Sequence, residues 1–200
     1  MTENKLPEII RKTLSGRRPV EIEDGFRSYR HAAVLIPIFK EGEEYKILFT
    51  KRTSLVDAHK GQISFPGGRI DEEDSSPEMT ALREAEEEIG LKREDVEVLG
   101  RIDDAVTVVS NFVVHPFVGL IPFPYDFMIN TFEVDRMLYV PFSSFLPDGV
   151  ADRILPIEYE GTVVESLSYV HEGEVIWGAT ARIMKNFIRI LGDSVKSIFH

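Results

Sequence analysis

The spacing of apolar residues changes along the chain, and each spacing predicts an element. Residues 6–14 (LPEIIRKTL) repeat apolar positions at helical intervals until Gly16 and Pro19 stop the pattern, which predicts a short N-terminal helix. His31 to Phe39 is a run of β-branched and apolar residues, and so a buried strand; EGEE then turns the chain, and Tyr45 to Arg52 returns as a second strand. Residues 54–76 lose periodicity and are rich in Gly, Pro and Asp, which predicts a long loop of the kind that usually carries function. Helical spacing resumes at PEMTALREAEEEIG, with Ser76 suited to cap the helix, Pro77 to its first position and Gly90 to its end.

Strands are expected at Val96 to Ile102 and Val113 to Ile121. VDRMLYVPFSSF reads as a strand entering a turn, residues 159–178 as a hairpin, and Ala179 to Leu191 as an amphipathic closing helix. Strands in the middle with helices between and after them predict an α/β fold of the α+β kind, a mixed sheet covered by helices.

Composition narrows the function. The 200 residues, 43% hydrophobic, suit one globular domain. The net charge of −11 argues against binding a nucleic-acid backbone, but a metal ion can reverse the sign locally for a small phosphorylated ligand. The absence of cysteine removes disulfides, thiolate metal sites and cysteine nucleophiles. Apolar runs fall far short of the roughly 20 residues of a spanning helix, and MTENKLPEIIRK lacks an apolar signal core, so no membrane association and a cytoplasmic location are expected.

The chemistry concentrates on the helix after residue 76. At about 100° per residue, Leu82, Ala85 and Ile89 share one face, and Glu84, Glu87 and Glu88 a neighbouring one. Three carboxylates on one face repel, and a divalent cation converts that repulsion into ligation; oxygen ligands suit Mg²⁺ or Mn²⁺. Arg83 lies beside this face, within reach of Asp74 or Asp71. The turn Phe65-Pro66-Gly67-Gly68 exposes backbone, so that a glycine carbonyl there can join the carboxylates. A solvated acidic face is the bland alternative for such a string, since Glu favours helices; the glycine turn is what a bland face does not call for.

Arg83-Glu84-Ala85-Glu86-Glu87-Glu88-Ile89-Gly90-Leu91 resembles the second half of the box that defines the Nudix hydrolase family. From Gly68 to Arg83 the chain is one residue longer than the general box, and a residue near Asp74 replaces the box Glu. That longer form, FTKRTSLVDAHKGQISFPGG upstream and IWGATARIMKNFI near the end are similar to the coenzyme A pyrophosphatase branch. Asp57 and Ser110 to Phe112 depart from that branch. The resemblance spans roughly Arg30 to Ile190. It implies a Nudix-type α/β/α sandwich with a loop-helix-loop motif over residues 29–192, preceded by a helix and lead-in over 1–28 and followed by a tail over 193–200.

It also implies an enzyme, a pyrophosphatase that splits a nucleoside diphosphate linked to another moiety. Coenzyme A or its derivatives is the favoured substrate, giving adenosine 3′,5′-bisphosphate and 4′-phosphopantetheine. ADP-ribose, a dinucleotide or a nucleoside triphosphate are the alternatives, and a non-catalytic nucleotide-binding module is a further one. Glu84, Glu87 and Glu88, with Gly68, would hold Mg²⁺ or Mn²⁺, and Arg83 would orient the carboxylates. Arg52 and Lys51 face the phosphates in this reading, His59, Lys60 and Gln62 shape the pocket, and Phe112 stacks on adenine. Glu158, Glu160 and Glu165 are candidates for the general base. A small-molecule nucleotide is the expected partner, and a homodimer is common among family members.

Overall fold

The computed structural model describes residues 5–23, 29–53, 61–107, 110–146, 153–159, 161–196 and 198. Its elements are α1 (Lys5–Ser15), β1 (Arg30–Glu41), β2 (Glu44–Arg52), β3 (Ile63–Ser64), β4 (Gly67–Arg69), α2 (Pro77–Ile89), β5 (Glu97–Arg101), β6 (Ala105–Val106), β7 (Phe112–Leu120) and β8 (Val134–Pro141). They continue with β9 (Arg153–Tyr159), β10 (Thr162–His171), β11 (Glu174–Trp177), α3 (Gly178–Leu191) and α4 (Asp193–Lys196).

The main sheet runs β3-β2-β1-β7-β5, with β4 added to β1, β6 to β7 and β8 to β2. The long β1–β7 pair is parallel, from Arg30 opposite Phe112 to Ile38 opposite Leu120, and the other pairs are antiparallel. The sheet is therefore mixed. Strand alternation sends its two faces into two cores. Ile36 and Ile38 of β1, Ile47 and Phe49 of β2 and Val118 of β7 meet Leu6, Ile10 and Leu14 of α1 and Met184 and Phe187 of α3. Ala33, Leu35 and Phe39, with Leu48 and Phe117, meet Ala81, Leu82, Ala85 and Ile89 of α2. Helices on both faces give the α/β/α sandwich. The apolar face expected for α2 is the face it buries.

Five elements differ from the expectation, β3, β4, β6, β9 and α4, and three of them show why. Residues 54–76 contain β3 and β4 rather than loop throughout. β4 pairs with β1 from Ala32 opposite Arg69 to Val34 opposite Gly67, and a β-carbon on Gly67 would overlap the Ala33 carbonyl and Val34. Glycine permits that approach, and two- and three-residue strands leave no alternation to read. β9 was not expected either, because Pro156 interrupts its pattern; it lies at the edge of a separate antiparallel sheet ordered β11-β10-β9, where proline is tolerated. The hairpin expected over 159–178 is the β10–β11 part of that sheet.

The segment before β1 is tied to the sheet by two adjacent carboxylates. Asp103 accepts from the Val20 N–H at 2.8 Å and pairs with Arg17. Asp104 accepts from the Ile22 N–H at 3.0 Å and from Arg101 at 2.5 Å, and lies 2.8 Å from His115 Nδ1, whose Nε2 meets His31 Nδ1 at 3.0 Å.

Candidate active site

α2 is held at both ends. The Ser76 side chain accepts from the Met79 N–H at 3.2 Å, and Gly90 turns into the left-handed region at φ 69°. Beyond it, the N–H groups of Met128 and Asn130 donate to the carbonyls of Ile89 and Glu88 at 3.0 and 2.9 Å. These satisfy acceptors that a helix end leaves open.

Arg83 organises the outer half of the acidic face. Its Nε and Nη2 grip both oxygens of Asp74 at 3.0 and 2.9 Å, Nη2 also donates to the Arg69 carbonyl at 3.2 Å, and Nη1 donates to Glu84 at 2.9 Å and Glu87 at 3.1 Å. Of the two partners expected, Asp74 takes the fork, and Asp71 stands further off at 3.5 Å. The Arg83 guanidinium holds the Asp74 carboxyl well below the usual range, with help from the Thr80 hydroxyl and the Asp71 N–H. Arg83 thus fastens the loop to the helix and touches two of the three expected ligands.

Glu88 is different. It is only 5% exposed, and its Oε2 is buried with no hydrogen-bond partner among the described residues. Burial, reinforced by the charges of Glu84 and Glu133, pushes its carboxyl up to about 8; Arg52 and the Gly67 N–H oppose the shift. Burial also raises Glu84, despite the opposing bond from Arg83. Gly68 lies directly on the Glu84 carboxylate, where any β-carbon would overlap it. The Gly67-Gly68 turn therefore meets both Glu88 and Glu84, while Glu87 stands exposed.

No group of three or more His, Asp or Glu side chains is poised to hold an ion among the described residues, and Arg83 engages Glu84 and Glu87. The fit to a hard cation rests on Glu88: a buried carboxylate oxygen without a donor is costly unless the group takes up a proton or a cation satisfies it. Glu84, Glu88 and the neighbouring glycine backbone supply only oxygen, which matches Mg²⁺-type ions.

The other expected site residues divide. Arg52 ends β2, and its charge reaches Glu88; its Nε is buried without a hydrogen-bond partner among the described residues. Its N–H donates to the Gln62 carbonyl at 2.9 Å, which places Gln62 beside it. Lys51 is committed elsewhere, bound to both oxygens of Glu174 at 2.8 and 2.9 Å, with Arg136 on the same carboxylate. Phe112 packs against the α1/α3 core, and the Arg30 guanidinium covers its ring at 4.2 Å. Glu158 and Glu165 stand exposed on β9 and β10. His59, Lys60, Asp57 and Glu160 lie outside the described residues.

One carboxylate escaped the sequence reading. Glu133, just before β8, carries charge that acts on both Glu84 and Glu88. Asn130 donates to it at 3.2 Å, and its carbonyl accepts from the Thr53 N–H at 2.9 Å. It stands 45 residues from Glu88 in no recognisable motif, so only the fold reveals it.

The family model for the NUDIX domain matches residues 29–153. The chain is 36% identical over 155 residues to an uncharacterized Nudix hydrolase, NudL, of Photorhabdus laumondii, covering 78% of this chain and 81% of the relative. It is 38% identical over 157 residues to NudL of Yersinia enterocolitica, covering 78% of each. Among solved structures it is similar to a MutT/nudix family protein from Enterococcus faecalis, with a TM-score of 0.55, 13% identity, and coverage of 89% of this chain and 70% of that one. The last of these speaks to the fold alone. The chain belongs to the Nudix hydrolase family. It is a pyrophosphatase of that family, whose members generally use divalent metal ions and act on small nucleotide substrates.

Proposed function

We propose that the protein hydrolyses coenzyme A or its derivatives to adenosine 3′,5′-bisphosphate and 4′-phosphopantetheine, with Mg²⁺ or Mn²⁺ held by Glu84, Glu88 and the Gly68 carbonyl, and Glu87 at the margin. The observation that carries the hydrolytic reading is the buried, donor-less oxygen of Glu88, one helical turn from Glu84, with Gly68 packed on the Glu84 carboxylate. The choice of coenzyme A is supported by the similarity of FTKRTSLVDAHKGQISFPGG and the lengthened box to that branch.

The bound cation supplies charge neutralisation for the diphosphate. The protein's own residues do the rest. Arg83 keeps Glu84 and Glu87 oriented by tying them to the Asp74 loop. Arg52 offers a guanidinium beside the buried pair, placed to meet a phosphate oxygen. Glu133, held by Asn130 rather than by Arg83, is our assignment for the base that takes a proton from the attacking water. The water oxygen bonds to one phosphorus, the bridging P–O bond breaks, and the bridging oxygen leaves with the other phosphate, so two phosphomonoesters result.

The test is a hydrolysis screen by product chromatography, with Mg²⁺ and separately with Mn²⁺, over coenzyme A, acetyl-coenzyme A, ADP-ribose, NADH and the nucleoside triphosphates. Preference for coenzyme A, with the two named products, is expected. Preference for ADP-ribose or a dinucleotide would replace the substrate and keep the chemistry. A folded sample inert towards all of them with both metals would favour a binding module.

A further inference from the structure

The loop over residues 121–133 closes α2, and it also builds a rigid turn at the rim of the acidic site. Asn130 organises that turn. Its side-chain carbonyl accepts from the Phe132 N–H at 3.2 Å, and its side-chain amide donates to Glu133 at 3.2 Å. Its backbone carbonyl accepts from the N–H groups of Glu133 and Val134 at 3.0 and 2.9 Å, while its own N–H holds the Glu88 carbonyl at 2.9 Å. The Thr53 N–H fixes the far side through the Glu133 carbonyl at 2.9 Å. The turn is thereby bonded both to α2 and to the end of β2, the two elements that carry Glu88 and Arg52.

Phe132 sits at the crest of this turn and is 78% exposed, the most exposed large hydrophobic residue among the described ones and the only aromatic in that group. Met128, on the same loop, is 73% exposed. A single exposed apolar residue on a surface needs no explanation. Here, though, the ring is one residue from a carboxylate that acts on Glu84 and Glu88, and its backbone is immobilised. The folded chain gains little from the ring where it stands; a flat aromatic partner would gain a preformed face at little ordering cost.

We infer that Phe132 is a substrate-binding, specificity-determining residue that stacks on the nucleobase of the substrate, with Met128 flanking it. This deepens the proposed nucleotide pyrophosphatase reading and rests on it. It also moves the stacking role from Phe112, whose ring Arg30 covers, to the turn before β8.

The test is binding of ADP and of inorganic pyrophosphate, each with Mg²⁺, to the full chain by calorimetry, for the wild type and for Phe132→Trp, Phe132→Leu and Phe132→Ala. Stacking predicts that Phe132→Ala weakens ADP roughly 10-fold, that Phe132→Leu loses nearly as much, and that Phe132→Trp retains the affinity. Pyrophosphate, which has no base, should bind all four alike, and the thermal melts should coincide. Unchanged ADP affinity in Phe132→Ala, an equal loss for pyrophosphate, or a wild type that binds no ADP overturns the assignment. Coenzyme A turnover is read separately: failure there removes the substrate reading, whereas the ADP-against-pyrophosphate contrast judges Phe132.

Discussion

Glu88→Gln keeps the shape of the buried side chain and removes its ionisation. In the metal-free protein the wild-type carboxyl rises from an ordinary 4.5 to about 8, chiefly through burial. At about 1.36 kcal/mol per pH unit, that gap amounts to a ceiling of about 5 kcal/mol against the folded state. Between those two values the folded chain keeps a proton that the unfolded chain has released. The favourable contribution of the protonated group is therefore complete below 4.5 and lost as pH rises through about 8. The glutamine amide brings a donor of its own, which costs about 1–3 kcal/mol if unpaired.

A net gain of about 2–4 kcal/mol for Glu88→Gln is expected near pH 8, or roughly 5–10 °C in Tm for a chain of this size. Calorimetry in a chelator, near pH 5 and near pH 8, checks it. The variant should gain on the wild type at the higher pH and hardly at all at the lower one. Added Mg²⁺ should then stabilise the wild type and leave the variant unmoved. A variant less stable at both pH values, or an advantage independent of pH, would refute the picture of a buried carboxylate awaiting a cation.

Gly68→Ala would drive a β-carbon into the Glu84 carboxylate; kcat should fall by about 10–100-fold while the melt shifts little, since a small displacement at reacting groups is costly. Leu82→Ala empties a buried position on the core face of α2 and should cost about 2–5 kcal/mol in urea unfolding, with activity per folded molecule preserved. Burial would raise the Asp104 carboxyl, but hydrogen bonds from His115, Arg101 and the Ile22 N–H outweigh it and hold it below 3.8. Its stabilisation is thus present above that value and lost as pH falls through the folded one. Asp104→Asn should lose about 1–3 kcal/mol at neutral pH, and urea unfolding in acid should show the difference shrinking.

The sequence made α2 legible because its signals are local. Ser76, Pro77 and Gly90 mark its ends, and the offset between Leu82, Ala85, Ile89 and Glu84, Glu88 separates an apolar face from an acidic one. The Arg83–Asp74 tie was legible for the same reason, being nine residues long. What depends on distant partners was not. Lys51 looked available to a phosphate until β11 brought Glu174 to it from 123 positions away. Phe112 looked available to a base until the parallel pairing set Arg30 over it. Glu133 and Phe132 lie in a turn with no pattern of their own, and the bonds of Asn130 to α2 and of Thr53 to Glu133 bring them to the acidic site.

The central claim is that Glu84 and Glu88 form a cation-dependent hydrolytic site for a nucleotide diphosphate. Coenzyme A turnover with Mg²⁺, followed by product chromatography for the wild type and Glu88→Gln side by side, tests it most directly. Conversion by the wild type to adenosine 3′,5′-bisphosphate and 4′-phosphopantetheine, abolished in a folded Glu88→Gln, is the predicted result. Equal turnover by the two proteins would contradict it.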